Sequence, residues 1–473
     1  MRRTKIVCTI GPATAPRDML AGLVRRGMNV ARFNFAHGTR EWHGSVIRAL
    51  REVSAELGEW VAILQDLGGP KIRTGSLRGG GPVLLQDGKR LTITTRPIEG
   101  DGEIISTTYL DLPRDVRPGD RILLDDGRME LRAEAVEGTE VRCLVVRGGM
   151  LGEHKGINLP AVRISAPALT SKDLDDLRFG LEQGVDYVGV SFVRSARDIM
   201  DARRAMVEYG RSVPIIAKLE KPEAIEHLGE ILRVADGVMV ARGDLGVEMS
   251  LEKVPILQKQ IIARANEVGI PVITATQMLE SMISSPRPTR AEASDVANAV
   301  FDGSDALMLS GETSIGSYPI EALEMMDRIV IEAEASTLGC ALPQHPLPQS
   351  PSIPYAVAHA AYQAAIDAQA RAISAFTQTG YTALLASKFR PRVPIVAVTP
   401  SEETARRVAL YWGVTATVAK AAATADEILD QVEASVIRSG LVRPGDTIII
   451  VARAAPEAWG PTNLLKVHQV GGG

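Results

Sequence analysis

The sequence predicts an α/β protein: a closed (β/α)8 TIM-type barrel with a small β-barrel domain inserted in it and an α/β domain after it. Three observations carry that expectation. Eight short apolar runs bounded by turn residues alternate with amphipathic stretches, as fully buried parallel strands and their crossover helices do. Residues 70–165 change texture to short alternating Val, Thr, Ile and Arg segments punctuated by Gly and Asp, the pattern of a small antiparallel β unit. A proline-dense segment at 342–354 is followed by a fresh strand and helix alternation. An open doubly wound sheet is the alternative for the first unit.

Taken in order, the first strand is expected at 5–10, closed by Gly11 and Pro12, with an amphipathic helix over 15–26. The second covers 29–35 and leads through Arg32 and Asn34 to His37, before a helix at 41–57. The third covers 60–65 and ends at Asp66. The remaining five fall at 187–192, 214–219, 237–241, 271–275 and 306–309. Right-handed crossovers then make closure the natural outcome. The expected limits are 1–69 with 166–341 for the barrel, 70–165 for the insertion, 342–354 for the linker and 355–473 for the last domain. The insertion leaves from a barrel loop on the mouth side, where it can act as a lid. In the last domain a helix over 355–370 precedes strands at 372–376, 393–398, 414–418 and 447–451.

Composition narrows the function classes. With 473 residues, 45% hydrophobic, 23% charged and a formal net charge of -4, nothing favours nucleic acid or an acidic membrane surface. Aromatic content of 4% argues against base-stacking platforms. Cys8, Cys143 and Cys340 are few, odd in number and far apart, which suits a reducing cytoplasm and no disulfide frame. The apolar run near the start is too short for a signal peptide, and no stretch has membrane-spanning length.

Charge collects where the strands end. The fifth delivers Lys218 and Glu220, and the sixth delivers Arg242, Gly243 and Asp244. Arg32, Asn34 and His37 follow the second, Asp66 the third, Thr276 the seventh, and Ser310 and Glu312 the eighth. In barrels of this class the C-terminal strand ends face one crevice. Glu220 and Asp244 suit a divalent cation, while Lys218 and Arg32 suit an anionic substrate or a developing negative charge. One such pair alone would read equally well as a surface salt bridge; recurrence at several strand ends favours metal-assisted chemistry on a small phosphorylated or carboxylated anion. In the last domain Thr377-Gln-Thr-Gly-Tyr-Thr opens a helix, either as an anion nest or as an ordinary capping turn.

Several segments closely resemble the pyruvate kinase family: Thr4-Lys-Ile-Val-Cys-Thr-Ile-Gly-Pro-Ala, Met28-Asn-Val-Ala-Arg-Phe-Asn-Phe-Ala-His-Gly, Lys155-Gly-Ile-Asn-Leu-Pro, Met239-Val-Ala-Arg-Gly-Asp-Leu-Gly-Val-Glu, Ala275-Thr-Gln-Met-Leu-Glu-Ser-Met and Met308-Leu-Ser-Gly-Glu-Thr. The resemblance implies phosphoryl transfer from phosphoenolpyruvate to ADP, giving pyruvate and ATP. Position by position, it implies that Glu220 and Asp244 hold Mg2+ or Mn2+ and that Lys218 stabilises the phosphoryl group in flight. Arg32 then contacts the substrate phosphate, and the amides of Gly243 and Asp244 with Thr276 hold its carboxylate. Asn34, His37, Arg73 and, from the lid, Lys155 fall on the nucleotide side, with a proton-donating water near Thr276 and Ser310. The resemblance further implies a homotetramer and a phosphorylated allosteric effector at Thr377, Gln378, Thr379, Gly380 and Thr382, although Gln378 and Tyr381 depart from the small hydroxyl residues of sugar-bisphosphate-regulated members.

One departure bears on cofactor use. Potassium-requiring members carry Ser, Thr and Glu where this chain has Ala36, Leu67 and Lys71. The expectation is that the Lys71 ammonium supplies the fixed charge and that no monovalent cation is required. Competing readings are a metal-dependent aldolase or lyase, which needs neither Lys155 nor Arg73, and an inactive metabolite sensor, which predicts erosion at Lys218, Glu220 or Asp244.

Overall fold

The computed structural model describes residues 2–160, 162–336, 352–422, 424–453 and 462–471. Most of the expected linker, 342–351, and Cys340 lie outside the described residues; Cys8 and Cys143 are buried free thiols. No described helix is long and apolar enough to cross a membrane.

Eight parallel strands close in chain order: Lys5–Thr9, Val30–Asn34, Ala62–Asp66, Tyr187–Val190, Ile215–Leu219, Gly237–Ala241, Val272–Ala275 and Ala306–Leu309. The eighth pairs back onto the first, Lys5 opposite Ala306. These segments are almost wholly buried because the inner face fills the barrel and the outer face meets the helices. Local chemistry fixes the helix starts. Thr39 caps Arg40–Leu57 by accepting the Trp42 N–H at 3.3 Å, and Gly58 ends it in the left-handed region. Thr170 with Asp173, and Thr289 with Glu292, form reciprocal capping boxes. The first helix is shorter than expected, Arg17–Arg25, since Pro16 stands just before its first turn.

The inserted unit leaves after the third strand and returns before the helix Ser171–Glu182, which puts it over the C-terminal mouth. It has a two-stranded ribbon, Val83–Leu85 with Gly149–Leu151, and a six-stranded sheet with its own apolar core around Leu91, Ile93, Leu131 and Val141. The sheet is antiparallel except where Arg90–Thr94 pairs parallel to Ile104–Ser106.

The C-terminal sheet has the order Val414–Val418, Ile395–Thr399, Ala372–Phe376, Thr447–Ala452, Leu464–Gln469. The last strand is antiparallel and was not expected from sequence. It is a half-exposed edge of mixed polarity, so it lacks the buried apolar run that marked the other four.

A buried charge cluster joins the two large units. Asp305, just before the eighth barrel strand, accepts Lys388 Nζ at 2.6 Å and lies 3.0 Å from Arg390 Nη2, with all three side chains at most 5% exposed. Elsewhere on the same junction Tyr187 Oη donates to the Arg407 carbonyl at 2.7 Å, and Arg406 Nε meets Asp186 at 3.0 Å. Removing the one acid strands two buried cations, whereas removing one base leaves a pair. Asp305→Asn should therefore cost about 3–5 kcal/mol in urea denaturation, and Lys388→Met clearly less.

Candidate active site

The C-terminal strand ends do converge. Lys218 is buried, and its ammonium donates to Ser191 Oγ at 2.7 Å while lying 3.1 Å from Asp66 and 2.8 Å from Glu220. Arg32 meets the other Asp66 oxygen, Nε at 2.7 Å and Nη2 at 2.6 Å, and donates to Thr9 Oγ1 at 3.0 Å. Strand register makes this possible, because Asn34 lies opposite Asp66 and Asp66 opposite Gly189 across the second, third and fourth strands.

Burial alone would drive the Lys218 proton off, yet Asp66 and Glu220 outweigh it and hold this lysine above its ordinary range. Burial would likewise raise Asp66, but Lys218 and Arg32 pull it below the usual carboxylate range. Glu220 goes the other way: burial raises it, and neighbouring Asp244 and Asp66 add to the rise against the pull of Lys218. Its second oxygen accepts the Phe192 N–H at 2.8 Å. Phe192 sits at φ 55, and a Cβ on Gly69, itself at φ 65, would lie 2.7 Å from the Phe192 ring, so only glycine fits that turn.

Asp244 stands in the first turn of a short helix, Arg242–Glu248, that follows the sixth strand directly. Thr276, at φ 69, accepts the Gly243 N–H on its hydroxyl at 2.7 Å and donates to the Ala275 carbonyl at 2.6 Å. Arg242 braces this turn, gripping Asp295 at 2.7 and 2.8 Å and the Thr276 carbonyl at 2.7 Å. Glu312 is fully buried and ties two loops together, accepting the Leu279 N–H at 3.0 Å and the Ser310 N–H at 2.7 Å. The Ser310 hydroxyl is buried at the same place without a hydrogen-bond partner among the described residues.

Two family models match: "Pyruvate kinase, barrel domain" over residues 1–323 and "Pyruvate kinase, alpha/beta domain" over residues 355–468. Curated pyruvate kinases of Staphylococcus haemolyticus and Staphylococcus aureus are 46% and 45% identical, over 100% of this chain and 81% of theirs. The chain belongs to the pyruvate kinase family. A crystal structure of a pyruvate kinase from Cryptosporidium parvum, 37% identical, superposes with a TM-score of 0.91, covering 99% of this chain and 96% of that one. The protein is thus a phosphotransferase enzyme with the pyruvate kinase fold.

In this pyruvate kinase family member a cleft of about 310 Å³ opens between barrel and inserted domain, lined by His37, Lys71, Arg73, Lys155 and Asp244 among others. Arg73 donates to the His154 carbonyl at 2.9 Å, and Lys155 lies 2.9 Å from Asp125, so both cations are held by lid residues. Partial removal from water, then the nearby cations Lys71, Arg73, Arg32 and Lys172, push His37 below the usual histidine range. Asn34 does not line the cleft; its side chain accepts the Ala36 N–H at 3.1 Å and shapes the turn. Lys221, unremarked in the sequence, reaches Glu248 at 2.7 Å and lies 5.8 Å from the Phe192 ring centre. Ser191 was also missed. The strand-end rule that found Lys218 would have found it, as it closes the fourth apolar run.

Among the described residues no three His, Cys, Asp or Glu side chains gather as a ready metal cage. The donor set still fits Mg2+, which is held by one or two carboxylates with substrate and water completing its shell. Glu220 and Asp244 are hard oxygen donors whose mutual repulsion a cation relieves.

In the C-terminal domain the Thr377 hydroxyl accepts the Gly380 N–H at 3.0 Å, and Thr382 pairs with Thr462 at 2.6 Å. Gln378 and Thr379 are exposed, and Gly380, at φ 88, caps the helix Tyr381–Lys388.

Arg242 is the brace on which the Thr276 turn rests, and a lysine cannot reproduce its fork. Arg242→Lys should lower stability by about 1–3 kcal/mol in urea and speed amide exchange over residues 276–278.

Proposed function

We propose that the enzyme transfers the phosphoryl group of phosphoenolpyruvate to ADP without a monovalent cation, using the strand-end residues in the roles the resemblance implies. The observation that carries this reading is the buried set Lys218, Asp66, Glu220 and Arg32, with Asp244 beside it. Glu220 and Asp244 would hold the Mg2+ or Mn2+, which would supply positive charge against the phosphate oxygens. Lys218 and Arg32 place fixed positive charge on the phosphoryl group as its bond to the enol oxygen breaks and the bond to the terminal ADP oxygen forms. The resulting enolate takes a proton at carbon, from a water held near the Thr276 and Ser310 hydroxyls, to give pyruvate. The amides of Gly243 and Asp244 orient the substrate carboxylate; the Gly243 amide then exchanges its Thr276 partner for the ligand. His37, Arg73 and Lys155 face the nucleotide, Asn34 shapes their loop, and the inserted domain closes over the mouth.

Lys71 supplies the charge that potassium supplies elsewhere. Its ammonium forms no ion pair among the described residues. Its side chain is exposed at the cleft; partial removal from water, then Lys218, lower its pKa, while Asp244, Glu220 and Asp66 pull it back, so it shares a field with all of them. Ala36 and the buried Leu67 offer carbon where a potassium site needs oxygen. The same reading takes the assembly as a homotetramer in the cytoplasm and the loop from Thr377 to Thr382 as the seat of a phosphorylated effector.

Two measurements test this. Coupled assays of pyruvate formation at equal ionic strength in sodium, potassium and tetramethylammonium chloride should agree within about twofold; strong activation by potassium alone would reject the role of Lys71. Glu220→Gln or Asp244→Asn should lower kcat by at least about 100-fold and weaken Mn2+ binding read by paramagnetic resonance. Undiminished turnover in either variant overturns the assignment of the metal site.

A further inference from the structure

A second cavity, of about 340 Å³, lies at the opposite end of the barrel, where the first strand begins and the C-terminal sheet abuts it. Its charged lining comprises Arg2, Arg3, Lys5, Arg371 and Arg392, and no acid lines it among the described residues. The topology gathers them: Lys5 starts the first barrel strand, while Arg371 and Arg392 stand just before the strands Ala372–Phe376 and Ile395–Thr399. They therefore mark the N-terminal ends of strands, remote from the catalytic strand ends.

The nearby acids are already engaged. Asp327 lies 3.1 Å from Arg2 Nη1, and Glu334 accepts the backbone amides of Arg3 and Thr4 at 2.8 and 2.6 Å and the Thr4 hydroxyl at 2.7 Å. Lys5 is 6% exposed, and its amine nitrogen donates to the Val414 carbonyl at 2.6 Å. Burial, then repulsion from Arg2, bring its pKa down to about 7. Arg3 is fixed by the Arg392 carbonyl and by the Trp412 ring, whose centre lies 5.7 Å away. The exposed Arg371 and Arg392 form no ion pair among the described residues. A concave pocket of small-molecule size that carries two unpaired guanidinium groups beside a buried lysine, and no acid among the described residues, suits a multiply charged anion. Guanidinium forks matched to several oxygens favour a phosphate group over a lone carboxylate.

We infer that this cavity is a binding site for a small phosphorylated metabolite, held between the barrel and the C-terminal domain by Lys5, Arg371 and Arg392 and distinct from both the catalytic cleft and the loop from Thr377 to Thr382. The ligand's charge offsets the clustered cations and ties together two units that otherwise meet there across like charges. Binding is thus expected to weaken with salt and to raise the melting temperature.

The test uses the full chain and two probes, inorganic phosphate and glucose 6-phosphate, by titration calorimetry with thermal melting alongside. The double variant Arg371→Ala/Arg392→Ala removes two exposed side chains, so the fold and basal turnover of phosphoenolpyruvate and ADP should be unchanged. Affinity for at least one probe should fall tenfold or more in that variant and hold in the loop variant Thr379→Ala. Equal wild-type affinity for the two probes identifies free phosphate as the natural occupant, and tighter binding of the ester identifies a sugar phosphate. The inference is overturned if neither probe binds the wild type at millimolar concentration, or if the double variant binds both as tightly as the wild type.

Discussion

The barrel mouth is governed by one exchange: Lys218 gives up its water for Asp66 and Glu220. A buried ammonium is costly on its own, and so is each carboxylate. Together they are tolerable because each satisfies the other's charge and because Ser191, the Phe192 amide and Arg32 take up the remaining donors and acceptors. The network draws on the second, third, fourth and fifth strands, and its geometry is therefore as rigid as the barrel. Charge placed this way needs no reorganisation when a substrate arrives, the condition under which electrostatic stabilisation of a moving phosphoryl group is most effective.

The same residues explain why the cleft is left wanting cations and anions at once. Lys218, Arg32 and Lys71 oppose Asp66, Glu220 and Asp244, so the protein groups nearly cancel. The cancellation is uneven in space. Asp66 is saturated by Lys218 and Arg32, whereas Glu220 and Asp244 repel one another and Lys71 forms no ion pair among the described residues. Under the proposed function a divalent cation would answer the first imbalance and phosphate oxygens the second.

Much of this was legible in the sequence, for identifiable reasons. Parallel strands buried on both faces advertise themselves as uninterrupted apolar runs, so the eight barrel strands and four of the C-terminal strands stood out. Polar residues at the ends of such runs are conspicuous because nothing in a buried strand calls for them, which is how Lys218, Glu220 and Asp244 were found. What stayed hidden depends on partners remote in the chain. Leu464–Gln469 is a strand only because Thr447–Ala452 offers it an edge. Arg242 looked like one more strand-end cation, yet it braces the Thr276 turn through Asp295 from another helix. Asn34 sits in a motif that implies nucleotide contact, and the structure adds a turn-shaping role that the motif did not announce, its carboxamide oxygen accepting the Ala36 amide.

The two ends of the barrel obey one rule with opposite results. At the C-terminal mouth the strand ends bring acids and bases together, and buried charge is matched within the chain. At the N-terminal end the first strand and the neighbouring sheet bring only bases, while Asp327 and Glu334 are consumed by Arg2 and by backbone amides. At that same end Asp305 is answered twice over by Lys388 and Arg390. A buried lysine without a carboxylate in contact survives in a folded core only where other interactions outweigh its cost. The barrel closure and the Asp305 cluster are the interactions that do so, on the side of the barrel away from the catalytic cleft.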